Sequence, residues 1–188
     1  MGLVFFFAII FALMSAFLRL APHAPNFAPV GALALWSGFY LPKRVGVIFP
    51  LVAMLASDAF IGFYDVRIML AVYASFALMA FLGRLAREKH APARYAPLVA
   101  VLGSTVFYLA TNFAVWANAS LYPQTAEGLL LCYTLALPFF RNTLLSDLMY
   151  GASFFAVYEL ARRYSPFFIK SIKMISAKAV KAIAGIVT

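Results

Sequence analysis

Residues 129–161, LLLCYTLALPFFRNTLLSDLMYGASFFAVYELA, carry the reading on which the fold turns, because Pro138, Arg141 and Asn142 divide one long apolar run. A helix needs roughly 20 predominantly apolar residues to cross a bilayer. Residues 129–140 are too few to cross alone, whereas 142–161 suffice. The first piece therefore reads as a re-entrant segment or half-helix packed on protein, and the second as the last full span. Counting both as crossings gives seven spans, and counting only the second gives six.

The rest of the chain is of the same kind. Of its 188 residues 65% are hydrophobic and 17% aromatic, with a mean hydropathy of +0.94, which would leave a soluble domain little to place in water. The expected class is an all-α membrane protein. Prolines and charges separate five earlier apolar runs, 2–18, 27–41, 45–63, 68–85 and 97–117. The first has no basic n-region and no small-residue cleavage site before Arg19, so it is expected to stay as a span. Pro22, Pro25 and Asn26 favour irregular backbone after it, and residues 87–95 and 118–128 form polar loops. The expected organisation is one six-helix bundle, residues 1–164, and a separate tail, residues 165–188.

Basic residues discriminate between the two counts, because cytoplasmic loops are enriched in Lys and Arg. With six spans, Lys43, Arg44, Arg84, Arg87, Lys89, Arg94, Arg162, Arg163 and the tail lysines fall on one side, against Arg19, Arg67 and Arg141 on the other. Seven spans would put the basic tail on the wrong side. Both termini are therefore expected in the cytoplasm, and the net charge of +9 reports topology and anionic lipid rather than nucleic acid.

That threading sorts the polar residues by depth. Asp58, Asn112 and Trp116 lie near the ends of outward-running spans, and Arg141, Asn142 and Asp147 in the first turns of an inward-running one. His23, Asn26, Phe27 and Tyr122 belong to the same outer side. Ionisable groups in hydrocarbon face a partner or a water-filled cavity. Several at one depth point to a pocket with apolar walls and a few fixed hydrogen-bonding groups. For any single residue a bland reading stands beside this one: Asp58 or Asp147 neutralises Arg141 as an internal strut.

Two further patterns concern surfaces. Ala8, Ala12 and Ala16 recur every fourth residue on one helix face, a small-xxx-small pattern that lets helices approach closely, whether within the bundle or against a partner. In the tail, Ser165 and Pro166 suit a helix start, and Lys170, Lys173, Lys178 and Lys181 lie opposite Phe168, Ile172 and Ile175. A basic amphipathic helix of this kind lies in the membrane interface on anionic lipid.

Catalytic and cofactor chemistry finds no foothold. There is no Walker loop. The two histidines, His23 and His90, fall on opposite sides, which disfavours a histidine metal centre. Cys132, the one cysteine, reads as a packing residue. Ser57 has no histidine at its depth to activate it. No enzyme and no cofactor is expected, and the choice lies between an uptake protein and an accessory subunit that scaffolds a larger membrane complex.

Several strings together resemble a known group. LAPHAPNFAPVGALAL (20–35), SDAFIGF (57–63), TNFAVW (111–116), Tyr122-Pro123 and PFFRNTLLSD (138–147) resemble a family of small bacterial membrane proteins. That family is itself similar to the substrate-binding S components of energy-coupling-factor vitamin transporters. The first likeness covers about residues 19–164; the second rests on size, span arrangement and the Pro29-Val30-Gly31-Ala32 region. It implies a six-helix protein of the bacterial inner membrane that binds a vitamin or related micronutrient from outside. It also implies association with a transmembrane coupling subunit and two ATPases, with Ala8, Ala12 and Ala16 as the docking face.

Overall fold

The computed structural model describes the backbone of residues 2–89 and 93–187, and side chains as far as residue 166. Among these residues there are six α-helices and one 3-10 turn: α1 (Gly2–Leu20), α2 (Val30–Tyr40), α3 (Lys43–Ile61), α4 (Val66–Glu88), the turn Ala93–Tyr95, α5 (Ala96–Asn118) and α6 (Ala126–Val187). The chain divides into two compact units, Met1–Phe155 and Ala156–Thr188. Five helices are long and apolar enough to cross a membrane. Their outward side chains are large and apolar, Phe17, Leu70, Leu98 and Leu130 among them. In water such a surface would aggregate; in lipid it is the ordinary exterior.

The short helix α2 is the centre of the first unit. Its 11 residues, at about 1.5 Å each, span about 17 Å, roughly half a bilayer core. Val30 through Gly38 are all buried. The second apolar run is thus a short helix preceded by a dipping loop. Residues 21–29 fold back beside α1, so that the Ser15 hydroxyl, more than a turn before the end of α1, reaches the Pro29 carbonyl at 3.5 Å. Asn26 takes the left-handed conformation (φ 61°) there, which asparagine tolerates better than most residues.

Apolar attraction between helices is weak in lipid, so close packing must hold them. A Cβ on Gly38 would overlap the Ala80 carbonyl, and one on Gly83 the Leu35 carbonyl, so α2 and α4 meet backbone to backbone. Trp36 is fully buried and meets Phe11 edge-on at 5.1 Å, while Phe11 stacks on Phe154 at 4.0 Å. Pro50 sits inside α3 and, lacking an N–H, leaves the Gly46 carbonyl without its helical donor. The Ser37 hydroxyl supplies one at 2.8 Å.

Two expectations change here. Residues 129–140 are not a separate half-helix, because α6 runs through Pro138 and Arg141 without a break. An internal proline removes one hydrogen bond and kinks a helix without having to end it. Tyr108 steadies this stretch by donating to the Tyr133 carbonyl at 2.7 Å, and Arg141 lies on an exposed face. Ser165 does not start a helix either: its hydroxyl donates back to the Arg162 carbonyl at 3.3 Å within α6. The apolar and basic faces expected at 168–181 lie outside the described side chains. The alanine stripe of α1 is partly covered within the bundle. Ala8 is fully buried and Ala12 and Ala16 half-buried, whereas Phe6, Ile9, Leu13 and Phe17 face out.

Candidate functional site

Where the dipping loop 21–29 enters the bundle it leaves a cavity of about 400 Å3. Its polar lining is Arg19, His23, Asn26, Tyr64, Thr143 and Asp147, set among Met54, Ile61, Val72, Phe76 and Phe107. A smaller lobe of about 190 Å3 adjoins it, sharing Asn26, Val72, Phe107 and Thr143 and adding Asn112, Thr111 and Tyr108. The lining comes from the last turn of α1, the end of α3, the start of α4, the second half of α5 and residues 139–147 of α6. Every contributing helix thus offers the same end of the bundle.

Arg19 organises one wall. Its guanidinium donates to the Met54 carbonyl at 3.2 Å, to the Ser57 hydroxyl and to Asp58 at 2.5 Å. The second Asp58 oxygen accepts from the Tyr73 hydroxyl at 2.7 Å. Asp58 is 1% exposed and does not line the cavity; it holds Arg19, which does. Tyr64, in the connection after α3, feels the same carboxylate. Partial burial pushes its phenol up and Asp58 adds to the rise, with Arg19 opposing.

Asp147 forms another wall. Its carboxylate accepts from the Ser104 hydroxyl at 2.7 Å, and it occupies the space that a Cβ on Gly31, in the first turn of α2, would take. Pro29, at the start of α2, offers no side-chain cap. Asp147 therefore sits against the first turn of α2 from α6, placing a carboxylate at the positive end of the helix dipole. Arg87 does the converse at the other end, donating to the carbonyls of Tyr40 at 3.2 Å and Leu41 at 3.3 Å. The buried helix is clamped at both ends by charges borne on its neighbours.

Of the residues singled out from sequence, His23, Asn26, Asn112 and Asp147 line these two spaces. The Asn112 amide donates to the Tyr108 carbonyl at 2.8 Å and lines the smaller lobe. Asn142 donates to the Pro25 carbonyl at 3.0 Å and so pins the loop that roofs the cavity. Phe27 packs on Tyr150 at 5.9 Å. Trp116 donates to the Pro123 carbonyl at 2.9 Å and accepts from Gln124 at its own carbonyl, which closes the 119–125 loop. Tyr122 is half-buried and Arg141 exposed, and neither lines the cavity. The pairing of Arg141 with Asp58 or Asp147 is replaced by that of Arg19 with Asp58, because α6 carries Arg141 outward. Sequence reading passed over Arg19, Tyr73, Ser104 and Thr143. Arg19 had the available signal of a cation at the end of a span beside a Pro-rich turn, whereas the other three look like ordinary helix residues.

The Cys132 thiol is buried and donates to the Asn112 carbonyl at 3.4 Å, which makes it a packing group. Among the described residues no cluster of three or more His, Cys, Asp or Glu is arranged to hold a metal ion.

Among the described residues, these features define an all-helical protein with five helices long and apolar enough to cross a membrane and a polar-lined cavity at one end of its first unit. The chain belongs to DUF6580, a family of unknown function, whose profile matches residues 2–169. No curated protein matches it, and no solved structure does.

Proposed function

We propose that this protein is a membrane uptake protein that captures a small nutrient of the vitamin or micronutrient class in the cavity beneath the 21–29 loop. The observation that carries the reading is a space of about 400 Å3 in which Arg19, Asn26 and Asp147 stand among apolar side chains. Its size falls in the range of small-molecule sites, and few polar groups on apolar walls is the composition such sites have. The distribution of basic residues supports a multi-pass protein of the bacterial inner membrane, termini in the cytoplasm and cavity open to the outside. The basic tail then meets anionic lipid of the inner leaflet. With no nucleotide motif in the chain, energy for transport comes from a partner, a coupling subunit with ATPases as in S-component systems. The alanine stripe contributes little to docking that partner, since Ala8 is buried.

Native mass spectrometry of gently solubilised protein tests this. The expected result is a retained small molecule that is lost on Thr143→Trp, which fills the space shared by both lobes, while the variant still melts cooperatively. Retention of the same molecule by folded Thr143→Trp overturns the reading.

A further inference from the structure

We propose that the ligand of this cavity carries a positive charge, on a protonated amine or a cationic ring nitrogen, and that Asp147 is its counter-ion; this rests on reading the cavity as a binding site. The argument is one of charge balance. Arg19 reaches the cavity already neutralised by Asp58. Asp147, 2% exposed, accepts from a neutral donor, the Ser104 hydroxyl, at 2.7 Å. Among the described residues no lysine, arginine or histidine forms an ion pair with it. The first turn of α2 offers roughly half an elementary charge. What is left of the negative charge faces a mostly apolar space within membrane-spanning helices, where an uncompensated ion is costly.

The remaining lining suits a cation. Phe76 and Phe107 both line the space, their ring centroids 5.0 Å apart, and aromatic faces attract cations. The Thr143 hydroxyl donates to its own helix at Phe139, so its lone pairs remain for an N–H donor. An anion would instead meet Asp147 and find Arg19 occupied by Asp58, Ser57 and Met54.

Thiol reactivity inside the cavity reads this balance. In a Cys132→Ala background, Thr143→Cys is modified with three methanethiosulfonates: neutral methyl, cationic trimethylammonioethyl and anionic sulfonatoethyl. Each rate is divided by that for free cysteine. The cationic reagent is expected to react about tenfold faster than the anionic one, as local fields concentrate counter-ions. Asp147→Asn should bring the ratio close to one. Phenethylamine should slow modification by the neutral reagent, and 3-phenylpropionate should not. Ala28→Cys gives the same readout if Thr143→Cys does not fold, and the ratio in protein bearing Asp147 decides the matter without the Asn variant. If the neutral reagent reacts but the anionic one equals or outpaces the cationic one, the ligand class is overturned and the cavity stands. A ratio that persists in Asp147→Asn overturns the assignment to that residue. If the neutral reagent reacts at neither position, the cavity is closed to small molecules and both readings fall.

Discussion

Asp58 has both carboxylate oxygens engaged, one by Arg19 and one by Tyr73, so its charge acts through the guanidinium it holds. Removing one partner of a buried pair leaves an uncompensated charge, at a cost of about 3–5 kcal/mol. Asp58→Ala should therefore lower the melting temperature in detergent sharply. The apolar double replacement Arg19→Met with Asp58→Leu should melt nearer the native protein, since it leaves no orphaned charge. Equal melting of Asp58→Ala and native protein would show that the pair is screened by solvent. Tyr73→Phe removes one bond to a charged acceptor and should cost about 2 kcal/mol, measurable in the same melts. At this scale the sequence disclosed residue type and approximate depth, and partner choice stayed hidden. Arg19 and Arg141 are both cations on the outer side of the threading, yet only the helix rotation that turns Arg141 outward selects Arg19 for Asp58.

The element that most depends on its neighbours is α2. Its contacts with α4 are backbone on backbone, so Gly38→Val and Gly83→Val should drive the helices apart and abolish the folded, monodisperse fraction in size-exclusion chromatography. Gly151→Ala, which meets nothing within 4 Å, should be indistinguishable from native protein. Recovery of folded Gly38→Val in normal yield would refute the close crossing. Pro50 and Ser37 make a finer test. Ser37→Ala should cost about 1 kcal/mol in the native background, where it leaves the Gly46 carbonyl unpaired. It should cost less in a Pro50→Ala background, where residue 50 recovers its N–H. A double-mutant cycle on melting free energies measures that difference. The apolar runs announced these helices well, because a span is set by length and composition. That α2 is short was legible in its run of residues 27–41; its start at Val30 was not, since Phe27, Ala28 and Pro29 are as apolar as a helix start and only the fold-back of the loop excludes them from it.

At the scale of the first unit, the cavity at one end and Lys43, Arg44, Arg84 and Arg87 at the other imply two chemically distinct faces. In a Cys132→Ala background, His23→Cys should be labelled by an impermeant maleimide from outside intact cells, and Arg84→Cys only after the membrane is opened. Labelling of both from the same side would reverse the six-span threading. Convergence of Asn26, Asn112 and Asp147 on adjoining spaces follows from alternating helix directions, which sequence reading can assign from charge and length. The Arg87 contact that caps α2 opposite Asp147 could not be foreseen, because it joins residues 46 and 47 apart in the chain.

Composition and the spacing of charges by themselves determined that this chain forms helices long and apolar enough to cross a bilayer and gathers polar groups toward one end, because a bilayer imposes length and apolarity on each helix separately. Which carboxylate is neutralised and which is left to face a cavity was decided only in three dimensions, where helix rotation and a dipping loop choose every partner.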